Sequence, residues 1–292
     1  MTVSVSSKLR SARTALSIVG AALIVGLAAC GTSSDKAGTP AVSAVPSNQP
    51  LDSKSFVLVH GAWQGAWAWS DEATALRARG ATVNVVELPG HGEDTTPIPD
   101  DTLDAYVATT AAAIDASPTN VILVGHSLAG AVITSAVEAR AARIDRVVYL
   151  AAYVPKDGEK VLDIANSDTA SHIGNVIVVD MEHGIASIPK DDLEDIFCAD
   201  CSPTALSSLI AHYRDEPLPA FVTPVHSTPE NWGSASKFYI FTKEDHAVSY
   251  DLQQKMTADI SWTGTATLDT SHSPFLSATD ALADALSDVA TR

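Results

Sequence analysis

The chain has 292 residues, 46% of them apolar, enough for one large α/β domain or two small ones. Its formal net charge is −17 and no basic stripe runs along it, which excludes nucleic acid as a partner. The acidity itself speaks to solubility rather than to a particular ligand.

Lys8, Arg10 and Arg13 precede an apolar run from Ala15 to Leu27. Residues 1–29 therefore predict a secretory signal, too short at its core for a membrane span. The stretch L-A-A-C-G that ends it resembles a bacterial lipobox. That resemblance implies cleavage before Cys30, a lipid on its thiol, and an exported, membrane-anchored protein of the cell envelope. An ordinary small-residue cleavage site that happens to hold a cysteine is the alternative. Residues 30–54, rich in Ser, Thr, Pro, Gly and Ala, predict a flexible tether. The folded domain is expected over 55–292.

From residue 55 apolar runs alternate with helical stretches. Strands are predicted over 56–60 and 81–87, with a helix over 66–79 between them that stops at Gly80. The loop L-P-G-H-G-E-D-T-T-P follows. A helix over 102–116 has Asp101 or Thr102 as its N-cap. Next come a strand over 120–124, a helix over 127–140 and a strand over 144–151. Strands that read as continuous apolar runs between helices imply a parallel sheet covered on both faces. The rhythm breaks over about 155–235, which holds a hairpin (N-V-I-V-V-D, then G-I-A-S-I), helices over 191–197 and 203–212, and E-P-L-P-A-F-V-T-P-V. An insert of this length is functional or disordered, and its place before the last two strands is that of a cap. The alternation resumes with strands over 237–241 and 263–268 and helices over 249–257 and 276–290.

The stretch V-I-L-V-G-H-S-L-A-G (residues 121–130) runs from a strand through a sharp turn into a helix. That context makes Ser127 a candidate nucleophile on a strained turn, although Ala129 stands where the motif G-x-S-x-G has glycine. A helix N-cap is the bland alternative. A hydroxyl needs a base, and the fold that carries such a turn places its partners in the order Ser, acid, His. K-F-Y-I-F-T-K-E-D-H supplies Glu244 and Asp245 just past a late strand, with Asp269 a weaker alternative. His272, in L-D-T-S-H-S-P-F-L, is the histidine that follows the last strand. Charge on a tetrahedral intermediate needs fixed amides. Leu128, after the nucleophile, offers one N–H, and Ala62, in V-L-V-H-G-A-W, offers the other. Trp63 and Tyr153 are candidate pocket residues. His60 and His126 are read as structural.

Cys198 and Cys201 are too few for a zinc site without histidine help, and no metal-ligand spacing accompanies them. They are either a local disulfide or two small buried hydrophobes, the latter slightly favoured. No metal or other cofactor is expected.

Taken together, H-G-A-W-Q-G-A-W-A-W, L-P-G-H-G-E-D-T-T-P, V-G-H-S-L-A-G, Y-L-A-A-Y-V-P-K-D-G, T-K-E-D-H-A-V and S-H-S-P-F-L-S resemble, in order, one branch of the α/β-hydrolase superfamily. It is the branch of plant methylesterases, hydroxynitrile lyases and bacterial esterase relatives. D-C-S-P and E-P-L-P-A-F-V-T-P-V in the insert fit it as well. The resemblance covers about 55–290. It implies an α/β-hydrolase fold with a mostly parallel sheet, a cofactor-free triad of Ser127, Asp245 and His272, Ala62 and Leu128 amides as oxyanion hole, and a site between sheet and cap. The lyases of this branch carry Thr where this chain has Gly61, and Lys after the catalytic histidine where this chain has Ser273. The expectation is thus hydrolysis of a small or medium carboxylic ester, ahead of lyase or perhydrolase chemistry on the same triad or a silent binding module.

Overall fold

Short apolar runs such as F-V-L-V (residues 56–59) and V-I-L-V (residues 121–124) are buried in central strands of this chain. The computed structural model describes residues 41–42, 50–97 and 102–292. The expected signal segment, Cys30 and most of the expected tether lie outside them.

In chain order, β1 (Ala41–Val42) and β2 (Ser55–Val59) come first, then α1 (Ser70–Ala78), β3 (Thr82–Val86) and α2 (Leu103–Ala116). Next are β4 (Val121–His126), α3 (Ala129–Arg140) and β5 (Ile144–Leu150). The insert carries α4 (Val161–Ala165), α5 (Ile173–Val176), β6 (Val178–Asp180), β7 (Ile185–Ser187), α6 (Leu193–Phe197), α7 (Pro203–His212), β8 (Glu216–Pro217) and α8 (Pro219–Val222). The chain ends with β9 (Lys237–Thr242), α9 (Tyr250–Thr257), β10 (Gly264–Leu268), α10 (Pro274–Ser277) and α11 (Thr279–Thr291).

Among the described residues the main sheet has seven strands in the order β1-β10-β9-β5-β4-β2-β3, every pairing parallel. Period-two alternation divides its side chains. Val57, Val59, Leu123, Val147 and Tyr149 join one core, with α2, α3 and the cap. Phe56, Leu58, Val124, Val148 and Ile240 join the other, with α1 and α11. Covering on both faces is why these strands read as unbroken apolar runs. The chain leaves β2 for β3 on one side and later returns to β4 on the other. The crevice beyond the carboxyl ends of β2 and β4 is therefore the topological switch point, where open α/β sheets bind ligands.

Thr102 is the N-cap of α2: its side-chain oxygen accepts the Ala105 N–H. The expected start of the domain at residue 55 moves earlier. Leu51 is fully buried in the second core and donates its N–H to Arg79 O at 2.7 Å, so the chain is already packed there. In the cap, β6 and β7 pair antiparallel, and β8 adds a third strand that a two-residue stretch ending in proline does not announce. Cys198 and Cys201 form a disulfide, which corrects the slight preference for two separate thiols. The end of α6 accounts for it. The Cys198 N–H bonds Glu194 O and the Cys201 N–H bonds Cys198 O, a tight turn that sets the two Cα atoms 5.0 Å apart.

Candidate active site

Strand β4 passes through Gly125 and His126 to Ser127, which sits at φ 54°. An L-residue in that left-handed region is strained and persists only when its surroundings hold it. Here the Ser127 N–H bonds Leu150 O at 3.2 Å, and Ser127 O accepts from Gly130 N at 3.0 Å and Tyr153 N at 3.1 Å. The strain also explains why α3 starts at Ala129 and not at the serine. The glycine requirement falls at 125 and 130. A Cβ on Gly125 would lie 2.8 Å from Ala129 O and from Ile133, and one on Gly130 would fall on the Tyr153 carbonyl. Ala129 is fully buried without conflict, so its methyl is no defect in the turn.

The loop after β10 carries His272, and the loop after β9 carries Asp245. His272 Nδ1–H donates to Asp245 Oδ2 at 2.8 Å, with both side chains buried. Asp245 Oδ2 also accepts from Thr242 Oγ1 and Gln253 Nε2, and Oδ1 accepts the Ala247 and Val248 amides. Donors on both oxygens fix its orientation. Nδ1 bears the proton, which leaves Nε2 as an acceptor. The rival acids stand elsewhere. Glu244 is exposed, and Asp269 is exposed and paired with Lys243 at 2.7 Å. His126 ties the serine turn to the loop of His272: its Nε2–H donates to His272 O at 2.9 Å, and the two ring centroids are 4.4 Å apart. Burial pushes the His126 imidazole far below its usual range, so it is a neutral strut.

Gly61 follows β2, and a Cβ there would come within 2.8 Å of Ser127 Cβ, so glycine lets the two loops touch. The next residue, Ala62, lines a cavity of about 220 Å³ together with Ser127. Leu128 is buried at the start of α3. Among the described residues, neither the Ala62 nor the Leu128 amide has a protein acceptor. His60 holds the loop: its Nδ1–H donates to Gly61 O, and its Nε2 accepts the Leu88 N–H. Burial, with help from neighbouring His91, lowers its pKa to about 3.

Trp63 and Tyr153 both line the cavity, whose cap side is Leu162, Ile173, Ile177, Leu218 and Phe221. Trp63 sits at φ 60°, a strained position for so large a residue. The cap holds it there. Its N–H donates to Glu216 Oε2 at 2.8 Å and its indole Nε1–H to Ala186 O at 2.9 Å. Glu216 also meets His91 Nε2 at 2.7 Å. Glu216 and His91 are therefore parts of the site that residue patterns missed. Each stood inside a quoted motif, E-P-L-P and L-P-G-H-G, and an acid amid proline and leucine was the available signal. A second cap contact comes from the disulfide turn. The Phe197 ring lies 5.8 Å from that of His272, and the Asp200 carboxylate accepts the Ser271 N–H and hydroxyl.

The described residues thus set Ser127 and Ala62 on one mostly apolar cavity, with the His272–Asp245 pair joined to the serine turn through His126. Among the described residues, the cavity lining holds no cluster with metal-ligand geometry; one group of that kind lies outside it, at His172, Asp195 and His246.

Comparison with known proteins agrees with the architecture. The model of the alpha/beta hydrolase family matches residues 56–285. An Arabidopsis thaliana protein named "Putative methylesterase 13, chloroplastic" is 31% identical over 216 residues, 70% of this chain and 49% of that one. This chain thus spans about half the length of such curated relatives. The carbendazim hydrolyzing esterase of Nocardioides sp. is 39% identical over 110 residues, 37% of this chain and 46% of that one. A solved pyrethroid hydrolase of Sphingobium faniae superposes with a TM-score of 0.73 at 22% identity, covering 81% of this chain and 97% of that one, a likeness of fold.

Proposed function

The chain belongs to the alpha/beta hydrolase family, and from that premise we propose that it hydrolyses carboxylic esters through an acyl-enzyme on Ser127. One observation carries the proposal: the buried His272–Asp245 pair is tied through His126 to the strained turn that presents Ser127 to the cavity. His272 Nε2 takes the Ser127 proton as Oγ attacks the ester carbonyl. The oxyanion is held by the Ala62 and Leu128 amides, and Asp245 stabilises the imidazolium. His272 returns the proton to the departing alkoxide, and the alcohol leaves. Water, deprotonated by the same ring, then attacks the acyl-enzyme, and the acid leaves with Ser127 restored.

The names of the methylesterase and carbendazim-esterase relatives favour ester over cyanohydrin chemistry. So does the residue after His272. Cyanohydrin cleavage needs a cation near the leaving cyanide, and that position is Ser273, fully buried and bonded to Gln64. The mostly apolar cavity suits a small or medium ester.

Hydrolysis of nitrophenyl esters of graded acyl length, with Ser127→Ala as control, tests the proposal. Turnover and phosphonate labelling of the wild type, both lost in the variant, support it. Equal labelling of the two proteins, or cyanohydrin cleavage without ester turnover, overturns it.

The N-terminal segment supports a second part of the proposal: export and lipid attachment at Cys30, with the tether holding the enzyme off the membrane face. Metabolic labelling with an alkyne fatty acid should tag the wild type and spare Cys30→Ser.

A further inference from the structure

His172 precedes α5, Asp195 lies on α6, and His246 follows the acid Asp245, so three separate segments supply one cluster. His172 Nδ1 is 2.7 Å from Asp195 Oδ2, and His246 Nδ1 is 3.0 Å from Asp195 Oδ1. The three ligand atoms all lie within 4.8 Å of one another. The two imidazoles stack with centroids 4.1 Å apart, so their Nδ1 edges reach one carboxylate from the same side. The backbone fixes this placement. The His172 N–H bonds His246 O at 2.8 Å, and Ser171 Oγ–H bonds Ala247 O at 2.7 Å. The side chains are 42%, 54% and 35% exposed, which leaves an ion a path in and room for water.

We propose that His172, Asp195 and His246 form a binding site for a divalent transition-metal ion, with zinc the ion its donors fit. Two imidazoles and one carboxylate are borderline donors of the kind zinc takes, and a water completes four-coordination. On binding, each ring moves its proton from Nδ1 to Nε2, and the freed Nδ1 lone pairs replace their hydrogen bonds to Asp195 with bonds to the metal. The occupied site joins the cap, through α5 and α6, to the loop that holds Asp245. Its role is a clamp between the cap and that loop. Residue spacing could not announce it, because no two ligands are neighbours in sequence.

Zinc titration of the metal-free full-length chain by calorimetry is the test, with cobalt absorption and thermal unfolding as further readouts. The wild type should take one zinc at this cluster, show cobalt bands in the visible range, and melt at higher temperature with zinc present. Asp195→Asn and His246→Ala should each weaken binding about tenfold or more and lose the bands, while His226→Ala, at a separate surface pair, keeps both. The milder His172→Gln, checked by circular dichroism, guards against loss of fold. Absent zinc binding, or affinity unchanged in Asp195→Asn and His246→Ala, overturns the proposal.

Discussion

Glu216 and His91 meet at 2.7 Å with neither side chain exposed, and the same Glu216 oxygen receives the Trp63 amide. A carboxylate from the cap thus secures the loop that offers the Ala62 N–H. Removing one partner of a buried pair costs about 3–5 kcal/mol, because the other is stranded. Glu216→Ala should lower stability by that order. Where it folds, kcat should fall by about 10²–10³, the worth of one oxyanion donor. Glu216→Gln, which can still accept the Trp63 N–H, should lie between wild type and Glu216→Ala. Unfolding curves and single-turnover kinetics read the two effects separately; an unchanged kcat in folded Glu216→Ala refutes the link to the oxyanion loop.

Asp245 orients His272 through one hydrogen bond and is itself oriented by four others. Asp245→Asn should preserve the fold and lower kcat by about 10³–10⁴, since the amide favours the wrong imidazole tautomer. Glu244→Gln and Asp269→Asn should stay within about twofold of wild type, as expected of exposed surface carboxylates. A large loss at Asp269 would move the acid to the base loop.

The turn around Ser127 makes a contrast between neighbours. Gly130→Ala forces a methyl onto the Tyr153 carbonyl and should cost about 3 kcal/mol or more. Ala129→Gly removes a tolerated methyl at the start of α3 and should cost only about 1 kcal/mol. Thermal melts of the two single variants decide it, and equal losses would contradict the packing described for this turn.

His60 and His126 predict acid lability. Burial lowers His60 from 6.5 to about 3 and holds His126 well below 6.5. The folded chain keeps both rings neutral, while the unfolded chain protonates them as pH drops below about 6.5. The unfolded state then binds more protons, so stability rises with pH and is lost on acidification, down to about pH 3 for His60. Each ring adds up to about 1.4 kcal/mol per pH unit. Urea unfolding at about pH 7 and about pH 5 should show the decline, and His126→Asn should flatten it; a slope unaltered in that variant argues against a neutral His126.

Much of this molecule could be read from residue order, for a physical reason. Central parallel strands buried on both faces leave apolar runs, and Ser127 and Asp245 follow such runs, while His272 follows the last strand. What stayed hidden depends on contacts between distant segments. Glu216 reaches Trp63 and His91 across more than a hundred residues. The two-residue strand β8 exists only because β7 is there to pair with it. Gly130 is explained by the Tyr153 carbonyl, which local sequence does not reveal. The disulfide was within reach, since the spacing of Cys198 and Cys201 allows it, but only the turn ending α6 brings the sulfurs together.

The cap supplies a carboxylate to the Trp63 loop through Glu216, an aromatic wall to His272 through Phe197, and an anchor to the loop of His272 through Asp200. Lid and reactive centre are therefore not interchangeable modules. Exchanging this insert for that of a relative, in order to change which esters are accepted, would remove three braces of the chemistry along with the old specificity. Selection for new substrates is then channelled to the few side chains that face the cavity without bearing load, Leu162, Ile173 and Ile177 among them. If the proposed ester chemistry holds, diversification of this chain should proceed by point substitution on a fixed cap, not by swapping caps.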